Sequence, residues 1–440
     1  MPLPAARAGR AAATTDVIAE LEWRGLLHQA TSENLRQRLL GASHTAYVGF
    51  DPTASSLTVG NYVPMVLLAH WQRAGHRPIV LTGGGTGLIG DPSGKSAERQ
   101  LLTRDEVRAN VASQRKIFER VLDLSPASGA AMVDNADWLE KLGYIEVLRD
   151  VGKHFSVNQM IVRDSVASRL NEREQGISYT EFSYMILQAY DFLHLYRSHG
   201  CSVQMGGADQ WGNIVSGIDL IRRCEQGDAF GITNPLVTKS DGGKFGKTEK
   251  GAIWLTADRT SPYRFHQYWL NTADADVSRF LRWFTFLGRD EVESLERSAV
   301  ERPQERSAQR ALADHLTTIF HGETERARAE ATGRALFTGD LRSLDPAQLS
   351  DVSADLAGGE VAAAELGTLA VVDAVVRAGL AASKREARDF AAQGSLAVNG
   401  EKCAADRVLS REDLLATASG GAVLLRRGKK QWGVLRLVGG

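Results

Sequence analysis

Residues 45 to 87 constrain the fold more than any other part of this chain. "TAYVGF", Thr45–Phe50, reads as a short strand, and the turn-prone "DPTASS" follows it. A helix then runs from about Asn61 to Ala74, with Val63, Leu67 and Trp71 on one face and Gly75 as its stop. "RPIVLTGGGTG" is a second buried strand that runs into glycine. Strand, helix and strand in that order make a βαβ unit and therefore a parallel sheet, whose ligands are expected at the carboxyl ends of the strands. The fold class is α/β.

With 440 residues, 43% of them hydrophobic and 24% charged, the chain has enough apolar surface for a sizeable core and the length of two or three domains. No apolar run approaches the ~18 residues of a membrane span. The first residues are rich in Ala and Arg, carry Pro2 and Pro4, and lack both the apolar core of a secretion signal and the amphipathic, serine-rich character of a transit peptide. Residues 1–15 read as a disordered tail, and the cytoplasm is the expected location. Cys201, Cys224 and Cys403 are far apart and form no Cys-x-x-Cys pair, so neither a zinc site nor a disulfide framework is indicated.

Thr15 or Asp16 caps a helix with Val17, Ile18 and Leu21 on one side, ending at Gly25. Residues from about Thr103 to Gln175 are mostly helical in pattern, "SVQMGGADQWG" is another strand entering a polar turn, and a helical region starts near Pro262. From residue 338 to 365 the composition shifts to Ala, Gly, Asp and Ser, which reads as a linker. A compact basic segment closes the chain. From Leu366 to Gly440 there are 12 Lys and Arg against 7 Asp and Glu, or +5, within a total of −1. Such asymmetry suits a module that meets a polyanion, although most charged faces are merely solvated.

Three motifs carry chemical meaning. "GTGLIG", Gly85–Gly90, matches the Gly-x-Gly-x-x-Gly of a dinucleotide site, but "DPSG" follows at once, and Pro92 and Gly94 oppose the helix that fingerprint requires. "DGGKFGKTEKG", Asp241–Gly251, sets two lysines around a glycine beside a threonine, which suits a cationic loop gripping phosphates; by spacing alone a surface hairpin accounts for it more simply. "YMILQAYD" places Tyr184, Gln188 and Asp191 at helical spacing on one face, either a solvated stripe or a site.

Taken together, "YVGFDPTASSL", "GGGTGLIGDPSGK", "GKHFSVNQM", "ISYTEFSYMILQAYDF", "GGADQWGN", "KFGKTEKGAIWL" and "SPYRFHQYWLNTADADV" resemble bacterial-type tyrosyl-tRNA synthetase, a class I aminoacyl-tRNA synthetase, in the right order over almost the whole chain. "SKREARDFAAQGSLAVNGEK" and "VLLRRGKK" resemble the small RNA-binding module of the same enzymes. The resemblance implies a Rossmann-type parallel-sheet catalytic domain over residues 16–258, a helical anticodon-stem domain over 259–337 and, after the linker, a C-terminal α+β RNA-binding module over 366–440. It implies L-tyrosine and ATP with Mg2+ as substrates, no organic cofactor, tRNA(Tyr) as acceptor, and a homodimer with residues 152–160 near the subunit contact.

Carried over residue by residue, Tyr47 and Asp191 match the pair that meets the substrate phenol, and Asp91, Tyr184 and Gln188 match the groups around its ammonium, with Gln204 in the same cleft. Gly49, Asp51, Gly60, Gly207, Asp209 and Gln210 match the adenylate site, Asp209 on the ribose. Lys95, Arg99, Lys244, Lys247 and Thr248 match the phosphate-gripping set, with Thr53 near the same phosphates. Lys384, Arg385, Arg388, Arg426, Arg427, Lys429 and Lys430 fall on the expected RNA face. A buried carboxylate that needs a phenol hydroxyl rejects phenylalanine, a discrimination for which this family is itself the standard example.

One departure stands out. The family carries His-x-Gly-His where this chain has Thr58-Val59-Gly60-Asn61. Activation needs no proton acceptor, because an ionised carboxylate attacks the α-phosphate while pyrophosphate leaves; positioning and hydrogen-bond donors do the catalysis. Asn61 offers an amide NH2 and Thr58 a hydroxyl, at a helix start that presents further N–H groups. The expectation is an active ligase with a variant signature. Its rivals are an inactive paralogue acting as an RNA-binding or regulatory protein, a nicotinamide-dependent oxidoreductase, and a synthetase for tryptophan, which Tyr47 and Asp191 disfavour.

Overall fold

The computed structural model describes residues 15–91, 102–163, 166–167, 170, 176–248 and 251–438. Two compact units divide the chain, one formed by residues 1–259 with 272–308 and the other by 260–271 with 309–440.

The first unit is built on the expected βαβ. Strand β1, Thr45–Phe50, is followed by helix α1, Tyr62–Arg73, and strand β2, Arg77–Thr82, pairs parallel to β1 from Thr45 opposite Arg77 to Phe50 opposite Thr82. Strand β3, Ala131–Asp134, extends the sheet beyond β2, while β4, Cys201–Gly207, and β5, Phe230–Asn234, extend it beyond β1, all parallel. The spatial order is β5-β4-β1-β2-β3, with the two-residue strand Gln29–Ala30 antiparallel to β5 at the edge. Chain direction across the sheet reverses between β1 and β4, and a cleft opens at the carboxyl ends of strands flanking such a reversal. β3 departs from the helical reading of residues 103–175. It is four residues long and only half-buried, so its apolar pattern is too short to announce itself.

Helix α2, Tyr179–His199, is capped by the Ser178 hydroxyl, which accepts from the Glu181 N–H, and ends at Gly200 in the left-handed conformation. It packs on the sheet through Phe192, Leu193 and Leu195, and its other side brings Tyr184, Gln188 and Asp191 to the cleft.

The helices Asp274–Phe284 and Arg289–Glu301 belong to this first unit, not with the other helices of residues 259–337. Arg24, buried at the end of helix Val17–Arg24, is one reason: its guanidinium donates to the carbonyl oxygens of Arg282, Thr285 and Leu287 at 2.9, 2.8 and 3.0 Å. Arg24→Met removes the partners of all three and is expected to lower stability by about 2–4 kcal/mol, measured by urea denaturation.

The second unit carries an antiparallel sheet of β7, Leu396–Val398, β10, Gly420–Arg427, and β11, Gln431–Val438, with β8, Glu401–Lys402, and β9, Leu415–Thr417, paired to β7 and β10. The stretch read as a linker is folded. It contains helix Pro346–Asp355 and strand β6, Gly358–Ala362, which pairs parallel to β11. A few large residues suffice: Leu341, Leu344, Leu349 and Val352 join Leu415, Leu424 and Val434 in a buried cluster. Asp345 before Pro346, with Gln348 three residues on, forms a capping box that composition alone conceals.

Candidate active site

A cavity of about 540 Å3 opens at the β1/β4 reversal, walled by the ends of β1 and β4, by α2 and by the start of α1. Of the residues expected there, Tyr47, Gly49, Asp51, Thr53, Thr58, Gly60, Asn61, Asp91, Tyr184, Gln188, Asp191, Gln204, Gly207, Asp209 and Gln210 line it.

At its deep end Asp191, 2% exposed, accepts from Asn135 Nδ2 at 2.9 Å and Trp138 Nε1 at 2.8 Å. Burial pushes its carboxyl up to about 7, against those two hydrogen bonds. The Tyr47 hydroxyl and Gln204 Oε1 are buried with no hydrogen-bond partner. Burial, reinforced by Asp191, raises the Tyr47 phenol well above its ordinary range and so keeps it a neutral donor. A buried hydroxyl without a partner beside a carboxylate with unused lone pairs fits a ligand hydroxyl that both accepts and donates.

A hydrogen-bonded chain leads outward from there. Asn135 Nδ2 also donates to Thr86 Oγ1 at 3.0 Å, Thr86 Oγ1 donates to Asp51 Oδ1 at 2.9 Å, and the Tyr184 hydroxyl donates to Asp51 Oδ2 at 3.1 Å. A second network joins Gln210 Nε2 to Asp91 Oδ2 at 2.9 Å and Asn213 Nδ2 to Gln188 Oε1 at 2.9 Å. Asp91 Oδ2, Gln188 Oε1 and the Tyr184 hydroxyl oxygen thus place three acceptor atoms on residues of this wall. The glycines of "GGGTG" serve packing: the N–H groups of Gly84 and Gly85 donate to Asp134 Oδ1 and Asn135 Oδ1 at 2.9 and 2.8 Å, so they are not open to a pyrophosphate.

At the mouth, the Thr58 backbone N–H and hydroxyl both reach Asn61 Oδ1, at 3.0 and 2.7 Å. A backbone N–H only donates, so the Asn61 atom facing it is oxygen and the amide NH2 is the group presented outward. Thr58 therefore spends its proton on Asn61. The expected two donors reduce to one, with Thr58 holding it.

A family model described as "tRNA synthetases class I (W and Y)" matches residues 41–338, and one described as "Tyrosine--tRNA ligase SYY-like C-terminal domain" matches residues 353–435. A tyrosine–tRNA ligase of Roseiflexus castenholzii is 47% identical over 427 residues, covering 96% of this chain and 100% of that protein. One from Staphylococcus carnosus is 48% identical over 422 residues, covering 95% and 98%. The chain belongs to the class I tyrosine–tRNA ligases. Among solved structures, a C-terminally truncated mitochondrial tyrosyl-tRNA synthetase of Aspergillus nidulans superposes with a TM-score of 0.66 at 30% identity, over 73% of this chain and 94% of that one.

Not every residue expected from the tyrosine–tRNA ligase pattern meets the cavity. Lys95 and Arg99 lie outside the described residues. Lys244, Lys247 and Thr248 are exposed and do not line the wall. Their loop is anchored by Phe245, stacked with Phe284 at 5.2 Å, and by Gly246, where a Cβ would sit 2.9 Å from Val59 Cγ2.

In the C-terminal unit Arg385, Arg388, Lys429 and Lys430 are exposed. Lys384 pairs with Asp373 at 2.6 Å, Arg426 lies over Trp432, and Arg427 stacks on Phe390 at 3.7 Å while donating to the Leu380 carbonyl. The Arg427 side chain is 35% exposed beside these contacts. Sequence reasoning missed Asn135, Trp138, Thr86 and Asn213. The first two follow β3 directly in "AMVDNADW", and recognising that strand would have placed them at a strand end.

Proposed function

We infer that the chain activates L-tyrosine with ATP to tyrosyl-adenylate and pyrophosphate, and then transfers tyrosine to the 3′-terminal adenosine of tRNA(Tyr). Tyrosine–tRNA ligase activity follows from the family; the residue roles are our reading of the geometry. The observation that carries them is the unpartnered, buried Tyr47 hydroxyl in the cavity that Asp191 also lines.

In this reading Tyr47 donates to the substrate phenol, and the phenol donates to Asp191. Asp91, Tyr184 and Gln188 take the ammonium, which leaves the tyrosine carboxylate facing the mouth. Asp209 on the ribose, with Gly49, Asp51, Gly60, Gly207 and Gln210 around it, places the nucleotide. The carboxylate oxygen forms a bond to the α-phosphorus as the bond to pyrophosphate breaks, and no proton moves. Asn61, Thr53 and the cations of the Lys244–Thr248 loop and of Lys95 and Arg99 receive the phosphates. Mg2+ enters with ATP as part of the substrate.

Exposed apolar side chains at Tyr144, Ile145, Val162 and Tyr179 support a homodimer through this region. The basic side chains Arg385, Arg388, Lys429 and Lys430 support tRNA contact by the C-terminal unit. Among the described residues no helix is long and apolar enough to cross a membrane, which agrees with a cytoplasmic place.

The test is tyrosine-dependent exchange of labelled pyrophosphate into ATP, with phenylalanine and tryptophan as controls and a Lys244→Ala, Lys247→Ala double variant. Exchange with tyrosine alone, lost in the double variant, is expected. Folded protein that binds tRNA but gives no exchange would return the inactive-paralogue reading, which nothing else favours.

A pH dependence follows from Asp191. Its ionised form is the better acceptor for the phenol, so the KM for tyrosine is expected to fall as pH rises through about 7 and then level off. Stability of the free protein runs the other way. Because the folded state holds this proton over the window from 3.8 to about 7 and the unfolded state does not, Asp191 makes stability decline with rising pH across that window.

A further inference from the structure

The cavity has a charge problem. Among the described residues its wall carries four carboxylates, Asp51, Asp91, Asp191 and Asp209, and no Lys, Arg or His. The turn at its mouth, Thr58 to Asn61, is uncharged as well. A nucleoside triphosphate bound here needs cations at the phosphate end, and the loop lysines do not line the wall.

Among the described residues, a stacked cation stands beside that end. Thr58 and Trp254 face each other in an antiparallel bridge, flanked by the Val59 N–H donating to the Ile253 carbonyl at 3.1 Å and the Leu255 N–H to the Leu57 carbonyl at 2.9 Å. Directly opposed residues of an antiparallel pair project from the same face, which sets the indole beside Thr58; Trp254 itself lines the cavity. The chain then turns, the Arg259 N–H donating to the Thr256 carbonyl at 3.2 Å, and the Arg259 guanidinium carbon comes to 3.7 Å from the indole centroid. Arg259 is exposed, and among the described residues no carboxylate pairs with it. A guanidinium stacked by its face on an aromatic ring keeps its in-plane N–H fork available, the geometry that grips a phosphate in two places.

We propose that Arg259 is a phosphate-binding residue of the activation site, held toward the triphosphate of ATP by its stacking on Trp254. This rests on the cavity being the ATP site, as inferred above. It supplies from a fixed aromatic shelf positive charge that the neutral Thr58–Asn61 turn cannot.

The test measures equilibrium binding of Mg·ATP by calorimetry alongside tyrosine-dependent pyrophosphate exchange, without tRNA, for wild type, Arg259→Met and Arg259→Lys, with melting curves to confirm folding. Arg259→Met is expected to weaken ATP binding and raise the KM for ATP by about tenfold, the scale of one charge-assisted hydrogen bond, with the KM for tyrosine unchanged. Arg259→Lys recovers part of the loss, and added salt narrows the gap between wild type and Arg259→Met. ATP binding within twofold of wild type in Arg259→Met overturns the proposal, as does a parallel rise in both KM values, which marks a structural role. Intact ATP binding and exchange with impaired aminoacylation assigns the cation to tRNA instead and equally overturns it. Wild type that binds ATP but gives no exchange removes the activity reading and leaves the binding comparison to decide the role of Arg259.

Discussion

Asp191→Asn is expected to lower kcat/KM for tyrosine by about 100-fold or more, the consequence of one lost acceptor and one stranded buried donor at 1–3 kcal/mol each. Both Asp191 oxygens already accept, Oδ2 from Asn135 and Oδ1 from Trp138. An asparagine can offer an oxygen to only one of them. Whichever way its amide turns, its NH2 faces the other donor at a buried position, and that donor loses its acceptor. The pH dependence of the tyrosine KM should flatten in the same variant, since the group that titrates up to about 7 is gone. Asn135→Ala is a useful companion. It leaves the carboxylate in place but removes its Nδ2 partner and breaks the link to Thr86, so it should raise the tyrosine KM without abolishing activity. Retention of wild-type kcat/KM by Asp191→Asn, within a factor of about three, would falsify the phenol-end assignment.

Asn61→Ala is expected to lower kcat of pyrophosphate exchange by about 100-fold, the lower end of the range for deleting a pre-organised donor, with the KM for tyrosine unchanged. The lower end applies because the amide is neutral and carries no charge to the developing pyrophosphate. Thr58 should matter less and in a specific way. Thr58→Val deletes the hydroxyl that holds Asn61 Oδ1 but leaves the backbone N–H bond, so the amide is less firmly oriented and the loss is smaller, about tenfold. Thr58→Ser keeps the bond and should stay near wild type. Asn61→Asp is the sharpest contrast, because a carboxylate still accepts from Thr58 yet presents negative charge to phosphate. If it retains activity, the amide is only a helix cap.

Much of this was legible from residues alone. The alternation of apolar runs, turn residues and glycine stops between Thr45 and Gly87 marks a parallel α/β sheet, and spacing along "YMILQAYD" puts Tyr184, Gln188 and Asp191 on one helical face. What was misread shares a cause. Strand β3 and the folded stretch from 338 to 365 are short or built of small residues, and their stability comes from neighbours distant in sequence: β3 pairs with β2, and Leu349 and Val352 are buried with Leu415 and Val434. Local patterning carries no trace of such partners.

The sequence by itself determined the chemistry on offer: which side chains exist, their order, and the family that combination belongs to. Only the tertiary structure decided how they are used. It makes Asp191 an acceptor held by Asn135 and Trp138, residues more than fifty positions away along the chain. It also turns the Asn61 amide outward, stacks Arg427 on Phe390, and brings Arg259 onto the indole opposite Thr58. The physical reason is that a hydrogen bond or a stacked cation depends on distance and direction in space, and burial sets its strength. Neither quantity is a property of a residue or of its sequence neighbours.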